Sequence, residues 1–174
     1  TDSLVGSEMC IRDSITTPLF DKLIDDTTKS TKITKTKCDI LFLEGWCCGS
    51  SEIPKKILHK NINNLEKIKD PKYQWRNFYN NKLKLEYKKL FKLFDELIFL
   101  KTSSFDNVYK WRLKQEKTNQ SKNKKSKRMT SNEIKYFVQH YEKITKWMMK
   151  DLNKKAQIVI KFEKNHKISS INFN

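Results

Sequence analysis

Apolar residues are unevenly spaced along this chain, and their spacing predicts a short series of strands and helices. Residues 38–43 (CDILFL) form an almost unbroken apolar run closing on Glu44-Gly45. A run of that length, bounded by polar residues and glycine, predicts a strand buried on both faces of a parallel sheet. Residues 96–100 (ELIFL) predict a second strand of the same kind. Between them, residues 50–71 read as irregular, with Pro54 and Asp70-Pro71 as turn signals. Residues 72–94 are helical in period: Leu83, Tyr87, Leu90, Phe91 and Phe94 fall on one stripe. Ser103-Ser104 can cap a further helix over 105–116, with Phe105, Val108, Tyr109 and Leu113 on its apolar face.

Residues 117–128 (KTNQSKNKKSKR) hold no apolar residue and read as a mobile, solvated loop. Thr130-x-x-Glu133 is a capping box opening another helix, with Ile134, Phe137, Val138, Tyr141, Thr145 and Met148 on one face. Residues 156–162 (AQIVIKF) alternate like a strand, and Asn165-His166 turns into a last strand over 168–173. Residues 15–37, by contrast, read as a polar loop region. The order strand, helix, strand, helix, helix, strand, with apolar strands, predicts an α/β fold with a mostly parallel sheet flanked by helices.

Composition changes this picture in two places. The 174 residues carry 37 Lys+Arg against 20 Asp+Glu, a formal net charge of +17. Such a charge invites a nucleic-acid partner. Yet only Arg12, Arg76, Arg112 and Arg128 are arginine, the residue that forks onto phosphate and guanine edges. The rest is lysine, accompanied by Asn, Ile, Phe and Tyr, types that share A/T-rich codons. Codon drift therefore accounts for the charge better than a nucleic-acid surface does. No apolar run approaches the roughly 18–20 residues a membrane span needs. Cys10, Cys38, Cys47 and Cys48 include no C-x-x-C pair, and His59, His140 and His166 are scattered, so no zinc spacing arises. Reduced thiols in a reducing, cytoplasmic compartment are expected.

The second place is the N-terminus. Residues 1–14 (TDSLVGSEMCIRDS) contain no lysine and no initiator Met. They have neither the basic nor the apolar region of a signal peptide. The string SLVGSEMCIRDS resembles a translated sequencing adapter. The expectation is a non-native leader at 1–14 ahead of a domain whose own N-terminal side is missing.

Two segments carry candidate chemistry. Glu44 ends the first predicted strand, where open α/β folds bind ligands, and an acid there can position Mg²⁺ or its waters beside a nucleotide. The plain alternative is an acid capping the following loop. Arg112 lies in KWRLKQE beside the lysine-rich segment, as a lid guanidinium over phosphates would. Its plain alternative is a surface arginine on a solvated helix.

Five ordered strings go further: PLFDKLIDD (18–26), DILFLEGWCCG (39–49), INNLEKIKDPKYQWRNFYNNKL (62–83), LIFLKTSSFDNVYKWRLKQE (97–116) and the stretch from Arg128 to Ile160. Together they resemble the D-glycerate 3-kinase family, P-loop kinases related to the uridine kinase, pantothenate kinase and phosphoribulokinase group. The resemblance implies an ATP- and Mg²⁺-dependent enzyme acting on a small hydroxy acid. It implies Glu44 as the acid near Mg²⁺ and the transferred phosphate. It implies Asp21 and Lys22 on the acceptor side, and Arg112 as the nucleotide-side lid arginine. Trp46, Trp75, Arg76, Trp111 and Gln115 match motif positions without an assigned role, the tryptophans suiting packing.

Two departures qualify this. No G-x-x-x-x-G-K-[ST] loop and no Asp-Asp-Phe/Tyr segment with its catalytic-base Asp occurs in the chain. Thr27 stands where the family pattern has arginine, which bears on glycerate as the acceptor. The expectation is the C-terminal part of a P-loop kinase domain, inactive by itself. The alternatives are a lysine-rich nucleic-acid-binding module and an inactive kinase-like protein.

Overall fold

A computed structural model describes residues 15–21, 26–34, 39–122 and 129–174. The leader, Lys22 and the basic segment 123–128 lie outside the described residues. The chain divides into two compact units, Thr1–Gly45 and Trp46–Asn174.

In the first unit, strands β1 (Ile15–Asp21) and β2 (Asp26–Thr34) form an antiparallel hairpin, pairing Ile15 with Thr34 and Asp21 with Asp26. This corrects the polar loop expected for 15–37. The segment is rich in threonine, whose branched Cβ suits an extended backbone even where its hydroxyl faces water. The register slips between Pro18 and Phe20, beside a proline with no N–H to give the ladder. A second correction concerns the apolar run. Its described residues, from Asp39 onward, belong to neither sheet. Ile40, Leu41, Phe42 and Leu43 are 70%, 60%, 81% and 49% exposed. A strand buried on both faces needs flanking strands and two covering layers, and the described chain builds neither around this segment.

The second unit opens with helices α1 (Lys55–Leu58) and α2 (Asn64–Lys69), where irregular chain was expected. The side chain of Asn63 caps α2 by accepting from the Glu66 N–H at 3.0 Å. Helix α3 (Gln74–Lys82) runs without a break through a π-turn (Leu83–Tyr87) into α4 (Lys88–Phe91). Strand β3 (Ile98–Thr102) leads to α5 (Phe105–Lys122). That helix runs through six residues assigned above to a solvated loop. Lys and Gln are good helix formers, and no Gly or Pro stops the helix at Glu116. Helix α6 (Ser131–Lys155) starts on the predicted capping box. Thr130 Oγ1 accepts from the Glu133 N–H, and Glu133 Oε2 accepts from the Thr130 N–H. Strands β4 (Ile158–Phe162) and β5 (Ile168–Phe173) follow, joined by a turn in which His166 has φ 67°.

The sheet order is β3-β4-β5, with β3 and β4 parallel and β4 and β5 antiparallel. One face is covered. Phe99 and Val159 pack against Ile144, Met148, Leu152 and Ala156, and the loop residue Ile53 and Leu58 of α1 complete this core. The other face carries two apolar rows, Ile98–Ile158–Phe173 and Leu100–Ile160–Ile171. Leu100 and Phe173 there are 62% and 77% exposed. A parallel α/β sheet normally has both faces covered, and here the described chain covers one.

Candidate functional site

The four residues assigned to a site from sequence fall in different units. Asp21 ends β1, opposite Asp26. Lys22 lies outside the described residues. Glu44 is an exposed acid in the chain following Leu43. Arg112 lies in α5, in the second unit. Among the described residues no group of three His, Cys, Asp or Glu side chains could hold a metal ion.

Arg112 is the best defined of the four. Its Nη1 donates to Glu116 Oε2 at 2.6 Å, one turn along α5. Its guanidinium carbon sits 5.8 Å from the centre of the Phe137 ring on α6. Its Nη2 points toward Met129 Sδ at 3.9 Å. The other oxygen of Glu116 accepts from the Met129 N–H at 3.3 Å. A fixed guanidinium thus lies between α5 and the start of α6, with 27% of its side chain still open to solvent. Such a group can meet an anion without first losing much side-chain entropy.

Of the three tryptophans expected to pack, Trp111 does, whereas Trp46 and Trp75 are 47% and 56% exposed. Trp111 Nε1 donates to the Lys164 carbonyl at 2.9 Å, and its ring stacks on His166 at 4.5 Å. This docks α5 on the β4–β5 turn. Trp46 donates to Thr145 Oγ1 at 3.2 Å and meets Tyr141 edge-on at 4.4 Å. Cys47 and Cys48 are free, half-buried thiols. Burial pushes both up from the ordinary thiol value, and at Cys47 the neighbouring Cys48 adds to it.

Arg76 acquires a role that sequence reasoning missed. It is 1% exposed. Its Nε donates to Asp70 Oδ2 at 2.9 Å, Nη1 to the Leu58 carbonyl at 3.1 Å and Nη2 to the Asp70 carbonyl at 2.6 Å. Glu66 Oε2 lies 3.4 Å from Nη1 and 3.2 Å from Nζ of Lys143, a buried lysine of α6. Lys143 also donates to the carbonyls of Ile57 and Lys60. Four charges thereby lock α1, α2 and α3 onto α6. The signal in the sequence was Asp70-Pro71 followed by Arg76, a turn acid within reach of the next helix's first turn.

Asp70 feels two opposed effects. Burial pushes its carboxyl up, but the Arg76 side chain and the Trp75 and Arg76 N–H groups outweigh it and hold the carboxyl below the usual range. A depressed carboxyl adds stability above its unfolded value and loses it as pH falls through the folded one. The Asp70→Asn variant should therefore lose less of its urea midpoint between about pH 4 and about pH 2 than the parent does. Equal losses in the two proteins would show that Asp70 does not carry this share of acid sensitivity.

The architecture is a mixed α/β fold, and solved structures share it. The chain is similar in structure to the D-glycerate 3-kinase from Cryptococcus neoformans var. grubii serotype A, with a TM-score of 0.71, 18% identity and 92% of this chain covered. It is also similar to the YGR205w protein, with a TM-score of 0.62, 23% identity and again 92% covered. The matches extend over 60% and 58% of those chains, so this chain spans less than two thirds of either. At these identities the likeness is one of fold. No family model matches the chain, and no curated protein matches it in sequence.

Proposed function

We propose that this chain is the C-terminal part of an ATP-dependent small-molecule kinase whose acceptor is a small hydroxy acid, D-glycerate first among them. The observation that carries this reading is the structural likeness to a D-glycerate 3-kinase over 92% of the chain. The ordered motifs of the sequence support it independently.

In the reaction, an acceptor hydroxyl oxygen attacks the γ-phosphorus of ATP. The bond to the β-phosphate oxygen breaks, ADP leaves, and the hydroxyl proton passes to a base. Catalysis rests on positioning and on neutralising charge over the transferred group. Arg112 suits the neutralising role, being fixed at one end by Glu116 while still reaching solvent. Glu44 is the acid that would hold Mg²⁺, and a single carboxylate suits an ion bound mainly through phosphate oxygens and water. When bound, Mg²⁺ neutralises phosphate charge. Asp21 and Lys22 would line the acceptor side.

The uncovered apolar face of the β3-β4-β5 sheet and the exposed Ile40–Leu43 run fit a domain completed by further chain. A strand–loop–helix unit ahead of Thr17, with its phosphate-cradling loop, would supply both a covering layer and the missing nucleotide contacts. The test of the substrate is ³¹P NMR on a chain extended through that coding sequence, given Mg·ATP and a panel of small hydroxy acids. Phosphomonoester should appear with D-glycerate. A phosphomonoester formed only from another acceptor would reassign the substrate, and none at all would reject the kinase reading.

A further inference from the structure

A cavity lies at the opposite end of the sheet. Open α/β folds bind their substrates at the C-terminal ends of the strands. Gly49 packs instead against Leu97, just before β3 begins, and Lys155 ends α6 just before β4. Between them is a cavity of about 650 Å³, within the roughly 300–1,000 Å³ of small-molecule sites.

One wall is rigid. Gly49 has φ 77°, and a Cβ there would lie 2.7 Å from Leu97 Cδ2, so the chain needs glycine to turn at this point. The next residues are held to α6. Ser51 Oγ donates to Asp151 Oδ2 at 2.5 Å, and Trp147 Nε1 donates to the Ser51 carbonyl at 3.2 Å. Asp151 also pairs with Lys155 at 2.8 Å, so its charge is already answered.

The facing wall is made by the π-turn. The apolar stripe read from the sequence is Leu83, Tyr87, Leu90, Phe91 and Phe94. In an unbroken α-helix Tyr87, four residues on, would follow Leu83 on that face. The π-turn over Leu83–Tyr87 inserts one residue into the register. Leu83 is then followed on the cavity by Lys88 and Lys92, with Phe91 beside them, while Tyr87 is 41% exposed. Among the described residues neither Lys88 nor Lys92 has an acidic partner. π-turns inside helices recur at functional sites. Here the turn sets two lysines that make no ion pair among the described residues over a floor of Leu83, Phe91 and Trp147, with Glu52 as a further acid on the lining.

We infer that this cavity binds a small anion with a flat apolar body, its phosphate or carboxylate between Lys88 and Lys92 and its body against Leu83, Phe91 and Trp147. Arg112, the residue of this unit placed in the kinase chemistry above, is not part of its lining, so the cavity would act as a regulatory site for that activity. It is testable in the 174-residue chain by itself, whatever becomes of the kinase reading.

The probes are 2-naphthyl phosphate, 2-naphthoate and neutral 2-naphthol, titrated by calorimetry. The phosphate or the carboxylate should bind saturably, one per chain, and whichever binds tighter names the anionic group. 2-Naphthol should bind at least about ten-fold more weakly, as should the anion to the K88Q/K92Q variant, since charge-assisted hydrogen bonds of this kind are worth a factor of ten or more. Both lysines are exposed, Lys88 in α4 and Lys92 just after it, and an unchanged thermal melt would confirm that the variant is folded. No saturable binding, equal binding of 2-naphthol, or undiminished binding to K88Q/K92Q would each overturn the inference. The last two results would assign the probe to the uncovered sheet face instead.

Discussion

Replacing Arg112 by alanine in a catalytically complete, extended chain should lower kcat on the order of 10²–10³-fold, the usual cost of removing one fixed donor aimed at developing charge. The fold should barely register the change. Arg112 is partly open to solvent, and an ion pair one turn apart on a helix contributes well under about 1 kcal/mol. Its contact with the Phe137 ring adds a similar small amount. The Arg112→Lys variant keeps the charge but not the fork, and should recover only part of the rate. If the alanine variant kept its kcat, Arg112 would leave the mechanism and return to being a helix-surface arginine. If kcat and melting temperature fell together, its role would be structural.

Arg76 should behave in the opposite way. The Arg76→Ala variant strands Asp70 in the interior while Glu66 keeps Lys143, and breaking a buried pair by removing one partner costs about 3–5 kcal/mol. For a chain of this size that is a fall in Tm on the order of 10 °C or more. The cost should shrink in an Asp70→Asn background, because part of it is the penalty of leaving a charge unpaired. A double-mutant cycle on urea midpoints reads this coupling directly. Additive effects would mean that Arg76 acts through its packing and its carbonyl contacts, not through Asp70. Lys143 sits in the same network. Burial lowers its pKa despite the opposing pull of Glu66, so the lysine favours folding more as pH rises toward its ordinary value.

The second unit was legible in the sequence wherever local signals and tertiary packing agreed. The capping box at Thr130 marked the start of α6 correctly, because both of its hydrogen bonds are made between residues three apart. Strands β3, β4 and β5 were found within about two residues, β3 and β4 because Phe99 and Val159 meet α6 on one face and β5 because the Asn165-His166 turn sets its start. The exposed opposite face reads equally apolar, so sequence alone could not say which face was covered. The run at 38–43 failed for the same reason. Its composition suits a buried strand, but burial is supplied by neighbours, and Ile40 to Leu43 remain 49–81% exposed. The hairpin β1–β2 was missed because polar threonine-rich strands carry no hydrophobic period.

Of the candidate site, Arg112 was readable as a guanidinium held on a helix, but its clamp to Glu116 and Met129 depends on the return of α6. In the buried Arg76–Asp70–Glu66–Lys143 network the Asp70–Arg76 pair had a local signal, but its closure by Lys143 of α6, far along the chain, had none. The π-turn at Leu83–Tyr87 was equally hidden, since the stripe through Tyr87 and Phe94 is a good α-helical pattern. It is the wrong register for the structure that forms.

The kinase reading rests on a division of labour: this chain holds Arg112 and Glu44, and a preceding segment would hold the nucleotide. The most direct measurement compares two proteins, the 174-residue chain and the same chain extended upstream of Thr17, for transfer of phosphate from Mg·ATP to D-glycerate. The account predicts turnover by the extended protein and negligible turnover by the shorter one. Robust transfer by the 174-residue chain, or none by an extended chain that folds and carries a phosphate-binding loop, would contradict it.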